Sequence, residues 1–230
     1  MHKRWKCRVL ALSLAMSILC GCEQTATPVV LELPAREQAV VKSLEFPITL
    51  PESRLVVEEA MCYAGPYWED GSGEMVENVA GLMLYNPTDR LIEFAAFSLE
   101  QEGQKLYFFV YHLPPQSRCL VLEHHKNSCD PALVNDCTQL NIRWGHQEFS
   151  REQIDYVGVG SSMTLINRDA RQLKHVTVWY KRYVPSEDYY LGGVVYSAHV
   201  FDLQSEERRT VNPEHYEAGS TRIVGIELEM

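Results

Sequence analysis

Positive charge is scarce beyond the first eight residues of this 230-residue chain. Its 21 Lys and Arg include Lys3, Arg4, Lys6 and Arg8. With those four set aside, 17 basic residues face 31 acidic ones, a balance of −14 against −10 for the whole chain. A surface that acidic repels a phosphate backbone, so nucleic acid is excluded as a partner. A membrane-spanning run is also missing. Residues 9–19, VLALSLAMSIL, give eleven apolar or small positions. Eleven helical residues reach only about 16 Å, roughly half a hydrocarbon core. No segment shows a long helical period. There is no Gly-rich phosphate loop: Gly71-Ser-Gly73 and Gly158-Val-Gly160 are not followed by helices and read as turns. There is no G-x-S-x-G elbow. His112, His175 and His199 sit in strand patterns, and no motif beside them marks a Ser or Cys as a nucleophile. Trp68-Glu-Asp-Gly-Ser-Gly-Glu74 lacks calcium-loop spacing. No enzyme activity and no cofactor are expected.

What is present is globular: 46% hydrophobic, 23% charged and 10% aromatic residues, in a length that suits one large domain or two small ones. The basic start, short apolar run and polar exit make an export signal. Its end, Leu19-Cys20-Gly21-Cys22, resembles the bacterial lipobox, with an aliphatic residue at −3, Gly at −1 and the modified Cys at +1. Cys20 stands at −2, where Ala, Ser or Thr is more usual. The resemblance implies that Cys22 carries a diacylglycerol thioether and becomes the mature N-terminus. The chain would then face the extracytoplasmic side, anchored to the cell membrane by its lipid. Multiple acyl chains hold a protein stably at a bilayer, whereas one is marginal.

Residues 1–21 are read as the signal and 22–54 as a tether, punctuated by Pro28, Pro34, Pro47 and Pro51. Residues 34–44 suit a short helix or an extended edge equally. From Leu55 the pattern is β, with alternating runs of four to eight residues between turn clusters. In "VTVWYKRYV" the alternation puts Val176, Val178 and Tyr180 on one face.

The chain repeats itself. Residues 82–99 align without gaps on 163–180, at an offset of 81. Asn86 falls on Asn167, Arg90 on Arg171 and Ile92 on Leu173; Ala95, Phe97 and Leu99 fall on Val176, Val178 and Tyr180. Residues 111–118 match 201–208 at an offset of 90, so the second copy carries about nine extra residues around Tyr183–Gly193. The expected fold is all-β: two tandem antiparallel immunoglobulin-like sandwiches, one over 55–128 and one over 139–230, with 129–138 as a junction loop. The pattern resembles the FxLYD-like modules of uncharacterised Gram-positive lipoproteins. That resemblance implies a fold and a location, not an activity.

Four cysteines follow Cys22. In an exporting compartment they could form disulfides, for which Cys62–Cys119 and Cys129–Cys137 are the favoured pairs. Free buried thiols are a second reading. A third is a metal or thiol-redox cluster of Cys119, His124, Cys129, Cys137 and His146, whose spacing matches no C-x-x-C zinc pattern. Two aromatic loops remain. One holds Tyr63, Tyr67 and Trp68; the other holds Tyr183, Tyr189 and Tyr190 in the inserted segment. Loops on a rigid sandwich often carry binding residues, and flat amphipathic rings suit a protein or glycan partner. The rings could equally cap the core. The expected role is a non-catalytic binding or structural accessory module.

Overall fold

A computed structural model describes residues 43–145 and 153–230 of the chain. Fourteen strands make the described residues all-β. The first half holds β1 (Ile48–Thr49), β2 (Val56–Tyr67), β3 (Glu74–Asn86), β4 (Leu91–Gln101), β5 (Gln104–Leu113), β6 (Ser117–Leu122) and β7 (Val134–Gly145). The second holds β8 (Ile154–Val159), β9 (Ser162–Asn167), β10 (Leu173–Val184), β11 (Tyr189–Leu191), β12 (Tyr196–Leu203), β13 (Arg208–Val211) and β14 (Thr221–Glu229).

The expected boundaries shift in two places. The last part of the tether belongs to the fold: β1 pairs with β2, Leu50 is buried, and Leu44 and Phe46 pack on the first core. The expected junction loop contains one turn of 3-10 helix, Pro131–Leu133, and the start of β7. Strand β7 pairs along β4 from Leu91↔Gly145 to Gln101↔Val134, so the first module runs to Gly145.

The internal repeat is structural. In the first module β2-β3-β6 form one sheet and β5-β4-β7 the other; in the second, β8-β9-β13 and β12-β10-β14 take the same places. Alternation explains both interiors. Leu106, Phe108 and Val110 of β5 are buried while Tyr107, Phe109 and Tyr111 face outward. Val176, Val178 and Tyr180 of β10 enter the second core, as the sequence pattern implies.

The repeated Asn is a tie between strands. Asn86 is fully buried, and its Nδ2 donates to the carbonyls of Arg90, Leu113 and Pro114 at 2.9, 3.2 and 2.9 Å. Asn167, also fully buried, donates to the carbonyls of Arg171 and Leu203 at 2.8 and 3.0 Å. Each Oδ1 accepts the backbone N–H two residues on, from Thr88 or Asp169. An Asn can meet this many partners in one place because its amide carries both donors and an acceptor.

The modules are not independent beads. The segment that the second copy adds is strand β11, which pairs antiparallel with the end of β10 and parallel with β6. It joins β2-β3-β6 of one module to β10-β12-β14 of the other in a single eight-stranded sheet. The two cores use opposite faces of that sheet. Even-numbered Val176, Val178 and Tyr180 serve the second core, while Tyr183 lies in the first core with Tyr190 and Cys119. Trp179, on the Tyr183 face of β10, packs against the first core too.

Candidate functional site

The aromatic loops meet each other at this seam. Tyr183 and Tyr190 are 6% and 7% exposed, with ring centroids 5.4 Å apart, and Tyr67 is 1% exposed. Tyr63 and Tyr189 pack together around a smaller cluster built on Tyr67, Val79, Leu120 and Leu122. Trp68 carries the Arg182 guanidinium 4.3 Å from its ring centroid. Tyr67, Tyr183 and Tyr190 are thus core rings, as the capping alternative has it, while Tyr63, Trp68 and Tyr189 are half-buried beside them. A β11 lined with Tyr has a physical reason: a three-residue strand makes few ladder bonds and needs large buried side chains to hold it.

Two charged residues absent from the sequence expectations organise the seam. Lys181 is 0% exposed; its Nζ donates to the carbonyls of Tyr111, Gly193 and Val194 at 3.0, 2.8 and 2.7 Å. Glu69 accepts from Leu122 N–H at 2.7 Å and from Gly193 N–H at 2.9 and 2.8 Å. Burial pushes the Glu69 carboxyl upward, against the backbone donors and Lys181 that pull it down. Burial lowers Lys181, opposed by Cys119 and Glu69. A cavity of about 90 Å³ lies beside them, lined by Glu69, Phe109, Tyr111, Leu122, His124 and Val194. That is too small for an ordinary organic ligand.

The open candidate is the outer face of β12-β10-β14. Alternation leaves His175, Thr177, Ser197, His199, Phe201, Glu227 and Glu229 on the side away from the second core. Register sets them in rows: Phe201, His175 and Glu229 lie side by side, and so do His199, Thr177 and Glu227. His175 Nε2 and His199 Nδ1 are 3.0 Å apart and share a hydrogen bond. Thr177 Oγ1 lies 3.4 and 3.3 Å from the same two nitrogens, and Ser197 Oγ sits 3.1 Å from His199 Nε2. Phe201 stacks on His175 with centroids 4.4 Å apart and is 59% exposed.

The first module forms the inner margin of this face. His112 of β5 stacks on Trp179 at 4.8 Å. Burial lowers the His112 pKa, with Lys181 and Arg143 adding to the effect and Glu93 and Glu227 opposing it. His112 is thereby biased toward its neutral form. The face combines a flat exposed ring, two imidazoles that can donate or accept, two hydroxyls and two carboxylates. That set can hold a ligand by stacking and hydrogen bonding. Ser197 Oγ and His199 Nε2 are in hydrogen-bond contact there, and the other nitrogen of His199 is met by His175 rather than by a carboxylate.

The cysteines are not placed as expected. All four described thiols are free. Strand β3 lies between Cys62 and Cys119, for Cys62 faces Ala80 and Cys119 faces Leu84 on its two sides. Cys119 is sealed at the seam, its thiol pushed up to about 12 by burial. Cys137 faces Leu99 on β7, while Cys129 sits beside Cys62. Among the described residues no group of three or more His, Cys, Asp or Glu could hold a metal ion. Cys119, His124, Cys129 and Cys137 thus do not form the alternative metal or redox cluster. His146, Cys22 and the lipobox lie outside the described residues.

Among the described residues no helix is long and apolar enough to cross a membrane. No protein-family model matches the chain, and no curated protein is significantly similar to it.

Proposed function

We propose that the chain is an extracytoplasmic lipoprotein, anchored through Cys22, that serves as a non-catalytic binding module for a glycan or protein. The N-terminal reading supports the anchor: four basic residues, eleven apolar or small ones ending at Leu19, then Cys-Gly-Cys. One observation carries the binding role. The sheet face carries exposed His199 and Phe201 beside half-buried His175, is hydrogen-bonded within itself and is built on a strand whose other face is core. A rigid platform of this kind loses little entropy on binding. The seam supports the same role, because buried groups from both modules hold the platform at one angle to the first module.

Two measurements test this reading. Intact mass of protein extracted from membranes should begin at Cys22 and include lipid; an unlipidated mass starting elsewhere removes the anchor. Profiling of the full chain on a glycan array, repeated with His199→Ala and Phe201→Ala, tests the face. Binding should fall at least tenfold in either variant. Binding that ignores both substitutions moves the site elsewhere.

A further inference from the structure

Three features of one corner of the first module bring two cysteines together. Cys62 on β2 stands opposite Ala80 on β3. Ala80 is also the point where the chain after β6 docks: Ala80 N–H donates to Asn127 O, and Glu123 N–H donates to Ala80 O, both at 2.8 Å. The turn between them is fixed by Glu123, which is fully buried and accepts backbone N–H groups of Tyr107, His125 and Asn127 at 3.1, 2.8 and 2.7 Å. A turn fixed this way delivers Cys129 to the rim of the core, where Cys62 Sγ lies 2.6 Å from the Cys129 carbonyl oxygen. The Cys129 thiol is pushed up to about 11, by burial first and by the neighbouring Cys62 next.

We propose that Cys62 and Cys129 form the one disulfide of the mature fold, while Cys119 and Cys137 stay reduced. The proposal rests on the extracytoplasmic location proposed above, because that is where an oxidant of the disulfide class acts on such a pair. The chemistry is thiol–disulfide exchange. Cys62, the exposed thiol, attacks a sulfur of the oxidant as its thiolate and releases one thiol. Cys129 then attacks the Cys62 sulfur and releases the second. Two protein S–H bonds become one S–S bond, two protons leave, and the oxidant's disulfide is reduced to two thiols. Cys119 takes no part because it is fully buried against Gly192, whose carbonyl its Sγ approaches at 3.2 Å. The bridge would close a loop spanning 67 residues, tying the β2 edge to the segment that follows β6.

The test is a peptide map of the full chain extracted from membranes and alkylated without reductant. Trypsin with a protease that cuts before Asp separates Cys129 from Cys137, because Asp130 and Asp136 lie between them. A cross-link of Cys62 to Cys129, with Cys119 and Cys137 alkylated after unfolding, is the expected result. A bridge that includes Cys119 or Cys137 overturns the proposal. A second arm treats purified, reduced full chain with oxidised glutathione. If the bridge forms there but all four thiols are free in the extract, the pairing stands and the location reading fails. Free thiols in both arms overturn the pairing. Reduction should also lower the Tm of the wild type by about 10 °C, and leave Cys62→Ser and Cys129→Ser unmoved.

Discussion

Glu69 and Lys181 grip the same residue from opposite sides. The carboxylate accepts the Gly193 N–H at 2.8 and 2.9 Å, and the ammonium donates to the Gly193 carbonyl at 2.8 Å. One comes from the first module and the other from the second, so Gly193 between them is a rivet. Tyr111 N–H also donates to the Gly193 carbonyl, at 2.8 Å.

Removing either grip should loosen the seam. Lys181→Met removes the ammonium from the Tyr111 and Val194 carbonyls, leaves the Gly193 carbonyl with the Tyr111 N–H alone, and leaves Glu69 without a nearby cation. The cost should be about 3–5 kcal/mol, read from urea melts. A variant as stable as the wild type would mean that the buried charges contribute nothing net.

The seam also carries a pH signature. Burial holds the folded-state pKa of Glu69 above the ordinary carboxyl value of 4.5. A group raised in this way contributes stability that is full below the unfolded pKa and is lost as pH rises through the folded one. The stability of the wild type relative to Glu69→Gln should therefore decline between about pH 4 and neutrality. Paired melts at the two ends of that range check the sign.

Close approach makes Gly193 special. A Cβ there would overlap the carbonyl oxygen of Phe109. Gly193→Ala should cost about 1–3 kcal/mol by forcing the insertion away from β5. Tyr190→Ala, which empties a buried site in the first core, should cost about 3–5 kcal/mol. Thermal melts of both variants place the insertion in the core if they fall, and on the surface if they do not.

The paired Asn residues offer a test by chemistry rather than size. Asn86→Ala and Asn167→Ala should each cost about 2–3 kcal/mol by orphaning buried carbonyls. Asn86→Asp and Asn167→Asp keep the shape but lose the donors, so they should fall at least as far. Denaturant melts of all four variants decide whether the donors matter.

By contrast, His199→Ala and Phe201→Ala should change stability by no more than about 0.5 kcal/mol, because both side chains are exposed. Melts of these variants verify that any loss of binding comes from the face itself.

Much of the fold was legible along the chain. Alternation of Val176, Val178 and Tyr180 marked a core face, and the match of Asn86 to Asn167 marked equivalent strand junctions. The nine-residue excess was legible as an insertion, but its use was not. β11 is only three residues long and pairs in parallel with a strand about 70 positions earlier, which no local pattern encodes. Lys181 reads as a solvent-facing position, since it alternates with the buried Tyr180. It is buried because the first module covers the other face of β10. Glu69 reads as a turn tip for the same reason: its partners are the backbone of distant strands.

The sequence by itself determined the strand pattern, the repeat and the matched positions of Asn86 and Asn167, because these depend on period-two burial and on self-similarity along the chain. Only the tertiary structure decided that the two sandwiches share a sheet, that the aromatic loops form its seam, and that Cys62 lies beside Cys129 rather than Cys119. Those outcomes depend on which face of a strand a distant element covers, and burial by a distant element leaves no mark on the local run of residues.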